Sequence, residues 1–269
     1  MSEYQYYEFQ AIDWPLTAQE QDDVRTLSSR VQLTPTQAIF TYSYGDFRGD
    51  PLTVLEKHFD AMLYVANWGS KQLAFRFPRA LVDIDRLKPY YYACDEISLT
   101  TTEQHVVLDI NFAEEEGTGW AEGEGLLTAL APLREDIMRG DLRALYLAGL
   151  KASQYADDDD DDDDDDEGSD DEENESSGPA ELPTLPAPPG LAQLSPPLRA
   201  FVDFLDIDHS LIATAAASSA PLAQAEDRIE DWVELLPESE RTAWLIRLAK
   251  GEPRLDLHLL RRLREVANR

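Results

Sequence analysis

The chain has 269 residues, with 54 acidic against 23 basic side chains, a formal net charge of −31, 43% hydrophobic residues and one cysteine. That length suits one large or two modest domains with ample core material, and the charge argues against nucleic acid or anionic membranes as partners. The single Cys94 excludes an internal disulfide and any cysteine-built zinc site.

In chain order, residues 4–12 (YQYYEFQAI) read as an aromatic strand with Tyr7, Phe9 and Ala11 on one face. Trp14-Pro15 ends it. Thr17 stands three residues before Glu20, the capping-box spacing, which predicts a helix to about Ser29 with Val24 and Leu27 inward. Ala38, Phe40, Tyr42 and Tyr44 alternate with Ile39, Thr41 and Ser43 as a second strand. In GDFRGDP (45–51), Asp50-Pro51 is an N-cap followed by a first-turn proline, and Leu52, Leu55 and Phe59 line the short helix it opens.

Residues 62–68 and 73–77 form a predicted hairpin around Gly69-Ser70. A short helix carrying Leu81, Ile84 and Leu87 follows. A second hairpin spans 96–101 and 105–112, with Val106, Leu108, Ile110 and Phe112 inward. The loop EEEGTGWAEGEG (114–125) leads to a helix over 125–138, kinked or restarted at Pro132, and to another capped by Asp141. This order predicts an α+β domain over 1–155, a mixed or antiparallel sheet with helices packed on one face.

Asp157–Asp166 are ten consecutive aspartates, and the run to Glu175 holds sixteen acids and no base. Such a segment cannot bury apolar surface, so residues 156–190, through the proline-rich PAELPTLPAPPG, read as a disordered acidic linker. Its roles divide among a solubilising tether, a surface for basic partners, and weak gathering of hard cations. Residues 191–269 read as a small all-α domain. Leu222, Ala225, Ile229, Trp232, Val233 and Leu236 follow helical spacing, Pro237 interrupts, and a further helix with Trp244, Leu245 and Leu248 stops near Gly251. The last helix sets Leu255, Leu259, Leu263 and Val266 on one stripe and Arg254, Arg261 and Arg264 opposite. From Glu240 onward there are eight Arg or Lys against four acids, the one basic stretch, onto which the acidic tract can fold back.

No phosphate-binding glycine loop, G-x-S-x-G, H-E-x-x-H or C-x-x-C occurs, and the sequence points to no cofactor and no metal. Candidate ligand residues are Asp46, Arg48 and Asp50 in the GDFRGDP loop and the pair His58 and Asp60, a base with an orienting carboxylate. Against each stands a plainer reading, as helix caps and solvated helix ends. Asp206-Ile207-Asp208-His209 is read the same way, with Asp208 as an N-cap. Phe47, Trp68, Arg254, Arg261 and Arg264 are candidate partner-binding residues, since exposed aromatic and arginine side chains anchor interfaces.

The N-terminus carries no basic-then-apolar leader and no window of about 18 apolar residues occurs, so a soluble, cytoplasmic protein is expected. The segments YYEFQAID (6–13), LTPT (33–36), YGDFRGDP (44–51), HFDAMLYVANWG (58–69), RGDLRALYL (139–147) and PAPPGL (186–191) together resemble an uncharacterised family of bacterial cytosolic proteins. Those proteins share the Tyr-Tyr-Glu-Phe start and a helical end like LPESER…WLIRLAKGE…LLRRLRE. The resemblance implies no activity, cofactor or catalytic residue; relatives with shorter linkers make the aspartate run an elaboration. Three readings follow: a non-enzymatic adaptor or accessory subunit that binds other proteins, basic ones included; a small hydrolase-like enzyme with its site at residues 46–60; or an acidic nucleic-acid mimic.

Overall fold

A computed structural model describes residues 4–113, 123–159, 185–222, 229–252 and 254–267. Among these, seven strands form one sheet: β1 (Gln5–Gln10), β2 (Gln32–Leu33), β3 (Gln37–Tyr42), β4 (Ala61–Ala66), β5 (Lys71–Pro78), β6 (Ile97–Thr101) and β7 (His105–Phe112). Their order is β2-β3-β1-β4-β5-β7-β6, every pairing antiparallel. Of the two sheet types the sequence allows, the fold takes the antiparallel one. β2, two residues long, is too short to show a sequence period.

Local chemistry starts the helices where the sequence places them. Thr17 caps α1 (Ala18–Arg25) in a full capping box: Glu20 N–H donates to Thr17 Oγ1 at 3.3 Å, and Thr17 N–H donates to Glu20 Oε2 at 2.7 Å. The helix ends four residues earlier than the predicted Ser29. Asp50 caps α2 (Pro51–His58) by accepting from the amides of Leu52 and Thr53. Beyond β5 lie a 3-10 turn (Arg79–Leu81) and α3 (Ile84–Tyr91). Pro132 divides the predicted 125–138 helix into α4 (Leu126–Leu130) and α5 (Pro132–Met138), because proline offers no N–H to the turn before it.

α6 (Arg143–Asp159) runs on into the first three aspartates; the rest of the run to Glu175, predicted to be disordered, lies outside the described residues, as does the loop at 114–122. After it come α7 (Pro196–Leu205), α8 (His209–Ser218), α9 (Ile229–Leu235), α10 (Glu238–Ala249) and α11 (Leu255–Ala267).

Helices cover both faces of the sheet, not the one face predicted. On the first face, Tyr7, Phe9, Phe40 and Met62 pack with Val24 of α1, Val54 and Leu55 of α2, and Phe47 and Phe59. On the second, Leu63, Phe75, Leu108 and Ile110 pack with α3 to α7. Alternation shows one apolar face per strand, yet β7 buries Val107 on the first face and Val106, Leu108 and Ile110 on the second.

Two of the helices past the acidic run, α7 and α8, share the core of the sheet. Leu198, Phe201, Val202, Phe204 and Leu205 of α7 and Ile212 and Ala215 of α8 lie in the same core as the sheet. The end of the proline-rich stretch is docked too: Leu185 packs on that core, and Tyr90 Oη donates to Pro186 O at 2.9 Å. α9, α10 and α11 form the outermost group, and α11 rests on the 3-10 turn.

Candidate functional site

The most concentrated polar chemistry inside the fold is an ion-pair cluster where the ends of β1, β4 and β5 meet α5. Asp60 stands directly before β4 and just after α2, and its carboxylate is buried. Its Oδ2 accepts from the amides of Ile12 and Asp13 at 2.7 and 2.8 Å, and its Oδ1 from Arg76 Nη2 at 2.9 Å and Arg134 Nη2 at 3.5 Å. Arg134 of α5 is only 1% exposed. It grips Asp13 with both Nη atoms at 2.9 and 2.8 Å, donates from Nε to Arg76 O at 2.7 Å, and lies over the Phe77 ring. Arg254, at the start of α11, adds a second cation to Asp13.

Burial alone pushes the Asp13 carboxyl up, but the bonds and charges of Arg134 and Arg254 outweigh it and hold Asp13 below the usual carboxylate range. A general base needs a free lone pair and a proton affinity near working pH. Here both carboxylates are committed to cations and amides. A cavity of about 290 Å³ opens alongside, lined by Gln10, Ile12, Thr128, Arg134, Glu135 and Arg254. The cluster's evident work is to clasp segments 241 residues apart in sequence.

Beside it, β1 turns a second polar row toward α4. Glu8 is buried and accepts from Tyr6 Oη at 2.9 Å, Gln10 Nε2 at 3.0 Å and Gln37 Nε2 at 2.7 Å. Burial, then the charge of Glu8, drives the Tyr6 phenol far above its ordinary range. Tyr6 therefore keeps its proton and donates a hydrogen bond to Glu8.

The residues singled out from sequence do not gather into one site. Asp46, Arg48 and Asp50 are exposed; Asp50 is spent on its cap, and Asp46 meets Gln5 Nε2 at 3.4 Å. His58 is half-buried, its pKa lowered by desolvation, and its Nδ1 has no hydrogen-bond partner among the described residues. Asp60, two residues on, bonds to Arg76 and Arg134 and does not orient that ring.

Phe47 is buried among Tyr7, Phe9 and Phe40, and Trp68 Nε1 donates to Ser70 Oγ at 3.0 Å. The three arginines of the last helix are engaged within the chain: Arg254 with Asp13, Arg261 with Ala80 O, and Arg264 with Arg139 O at 2.6 Å. The acidic tract expected to fold onto this face lies, beyond Asp159, outside the described residues. Asp208 caps α8, as its plainer reading holds.

Sequence reasoning missed Asp13, Arg76, Arg134 and Glu8. All four sit in motifs or elements that the sequence marks, but isolated charges read as solvent-facing. One signal was available: Glu8 and Gln10 recur at period two inside an aromatic strand.

Asp109 on β7 is a further buried carboxylate. It accepts from Gln72 Nε2 at 2.8 Å, and desolvation raises its pKa to about 6. A raised carboxyl pKa means the folded state is penalised above that pH and the penalty fades as pH falls toward the unfolded value. Asp109→Asn keeps an acceptor for Gln72 and is expected to stabilise the protein by about 1–2 kcal/mol at pH 7.5. Urea titrations at pH 7.5 and pH 4 check this; the gain should be nearly absent at the lower pH.

Among the described residues no group of three or more His, Cys, Asp or Glu is placed to hold a metal ion, and no helix is long and apolar enough to cross a membrane. No protein-family model matches the chain, and no curated protein or solved structure is significantly similar to it.

Proposed function

We propose that the chain is a protein-binding accessory module that docks its partner on the outer side of α10. One observation carries this reading. α10 is twelve residues long and buries none of them, while Leu245, Leu248 and Ile246 are 67%, 64% and 51% exposed. Leu235 at the end of α9 is likewise exposed. A helix this short does not persist in water unaided. It is fastened through its other side, where Arg262 of α11 donates to both Glu240 oxygens at 2.6 and 3.1 Å.

Large apolar side chains grouped on a fastened helix are the mark of an interface rather than of a solvated surface. Exposed basic residues stand one turn before Leu245 and just past the helix end, Arg241 and Lys250. The fitting partner is therefore a protein with an apolar ridge edged by carboxylates. Basic partners remain a role for the acidic run, not for α10. The hydrolase-like alternative at residues 46–60 has less support, because Asp46, Arg48 and Asp50 lie in an exposed loop, His58 ends α2 and Asp60 is held in the buried clasp.

The test is the pair Leu245→Asp and Leu248→Asp introduced together. Since both residues are exposed, the melting temperature should stay within the effect of about 0.5 kcal/mol typical of surface changes. Bait experiments in native host extract at low and high salt should lose their stoichiometric partner with the double variant and keep it with His58→Gln. Unchanged capture by the double variant would refute the role of α10.

A further inference from the structure

Where the turn after α5 meets α3 and α11, the fold leaves a cavity of about 330 Å³. Its floor is apolar: Leu87, Ile137, Met138, Leu142 and Leu257 all line it and all are buried. Its mouth carries three guanidinium groups, those of Arg86, Arg261 and Arg264. Gly140 lets two of them close in. With φ at +86° it turns the chain between α5 and α6, and a Cβ there would stand 2.7 Å from Arg86 Nη1 and 3.3 Å from Arg264 Nη1. Those nitrogens are separated by no more than the sum of the two distances, and a residue with a side chain would not fit between them.

A grouping of like charges this tight calls for an explanation, even in a chain of net charge −31. The plain one is that arginines satisfy carbonyls at the end of α5. Arg264 Nη1 does donate to Arg139 O at 2.6 Å, and Arg86 Nη2 reaches Gly140 O at 3.5 Å. For Arg86 that account is thin, because its one carbonyl contact is long and neutralises no charge. Of the carboxylates lining the cavity, Glu265 is already shared between Arg261 and Arg262. Asp83 is exposed at the start of α3, and among the described residues Arg86 makes no ion pair.

We propose that this cleft binds a small amphiphilic anion, its carboxylate or phosphate head held by Arg86 and Arg264 and its aliphatic body laid on Leu87, Ile137, Leu142 and Leu257. Planar guanidinium groups give such a head paired, charge-assisted hydrogen bonds, and the apolar floor beneath removes competing water. The volume lies in the range of small-molecule sites. Arg86 and Gly140 also border a second cavity of about 480 Å³ under Pro186–Pro189, which gives the head or tail room to extend. This cleft is independent of the docking role of α10. The two are linked only in that α11, which fastens α10, forms one wall, so an occupant would tie α11 to α3 and α5.

Isothermal titration of the full-length protein with decanoate, decyl phosphate and decanol tests this. Both anions, or one of them, should bind at least tenfold more tightly than decanol, and the tighter anion identifies the kind of head the site takes. Arg86→Gln should weaken that binding by about tenfold or more, the usual scale for losing a charged hydrogen-bond partner, and Leu260→Trp, which fills the cavity, should abolish it. Arg86→Lys keeps the charge without the fork and should fall between. No binding of any probe at millimolar concentration would overturn the proposal. So would equal affinity for decanol, or a folded Arg86→Gln protein with unchanged affinity, which would leave these arginines as caps of α5 alone.

Discussion

Arg134→Ala should cost about 3–5 kcal/mol of folding free energy, the range for removing one partner from a buried ion pair. The substitution weakens the pairing of two carboxylates: Asp13 loses its two-pronged contact and keeps only Arg254, and the fully buried Asp60 loses one of its two arginines. Urea unfolding followed by circular dichroism measures the loss. Its pH dependence has a definite sign. A carboxyl held below its ordinary range contributes stability that is present above the unfolded value and lost as pH falls through the folded one, and Asp13 is such a group.

The difference between wild type and Arg134→Ala should therefore be greatest at neutral pH and shrink in acid. Once Arg134 is gone, adding Asp13→Ala should cost much less than Asp13→Ala does alone, because neighbours in one network are not additive. A loss below about 1 kcal/mol would show the cluster to be a surface-like pairing of little consequence.

Phe9→Ala should cost a similar amount, about 3–5 kcal/mol, for a different reason. Phe9 is fully buried in the middle of the sheet, with ring centroids of Phe59, Phe47 and Phe40 at 5.3, 5.8 and 5.9 Å. Truncation removes its transfer energy and leaves a cavity that three other rings line. Because the first helical layer rests on this aromatic group, the loss should appear in the global unfolding of the whole described fold. Thermal and urea transitions that keep wild-type midpoints would contradict the two-layered core.

The same residues show what the sequence could and could not disclose. Capping chemistry is local, so Thr17 with Glu20 and Asp50 with Pro51 mark two helix starts correctly. Turn chemistry is equally local, and Gly69-Ser70 marks the β4–β5 hairpin. What a face packs against is not local. Tyr6, Glu8 and Gln10 read as the wet side of a strand, yet Tyr6 and Glu8 are buried under the second helical layer. Arg134 reads as one more surface charge, since nothing near it in sequence announces Asp13, 121 residues away.

Helical periodicity misleads in the opposite direction. Leu222 and Ile229 fall on a stripe that reads as buried but are exposed, and Leu245 and Leu248 face solvent. A period identifies a stripe; only the fold decides whether anything covers it. Nearness in sequence is no better a guide: His58 and Asp60 stand two residues apart but face different surroundings.

The docking role rests on the apolar side of α10 being open to solvent in the free protein. Maleimide labelling of a Leu245→Cys protein reads this directly, because Cys94, the chain's own thiol, is buried with its pKa pushed up to about 11 and should react slowly. In the native variant the introduced thiol should label at a rate close to that of the urea-unfolded chain, while the parent protein labels far more slowly. Protection of the introduced thiol until the protein unfolds would mean that α10 is already covered, and its docking role would fall.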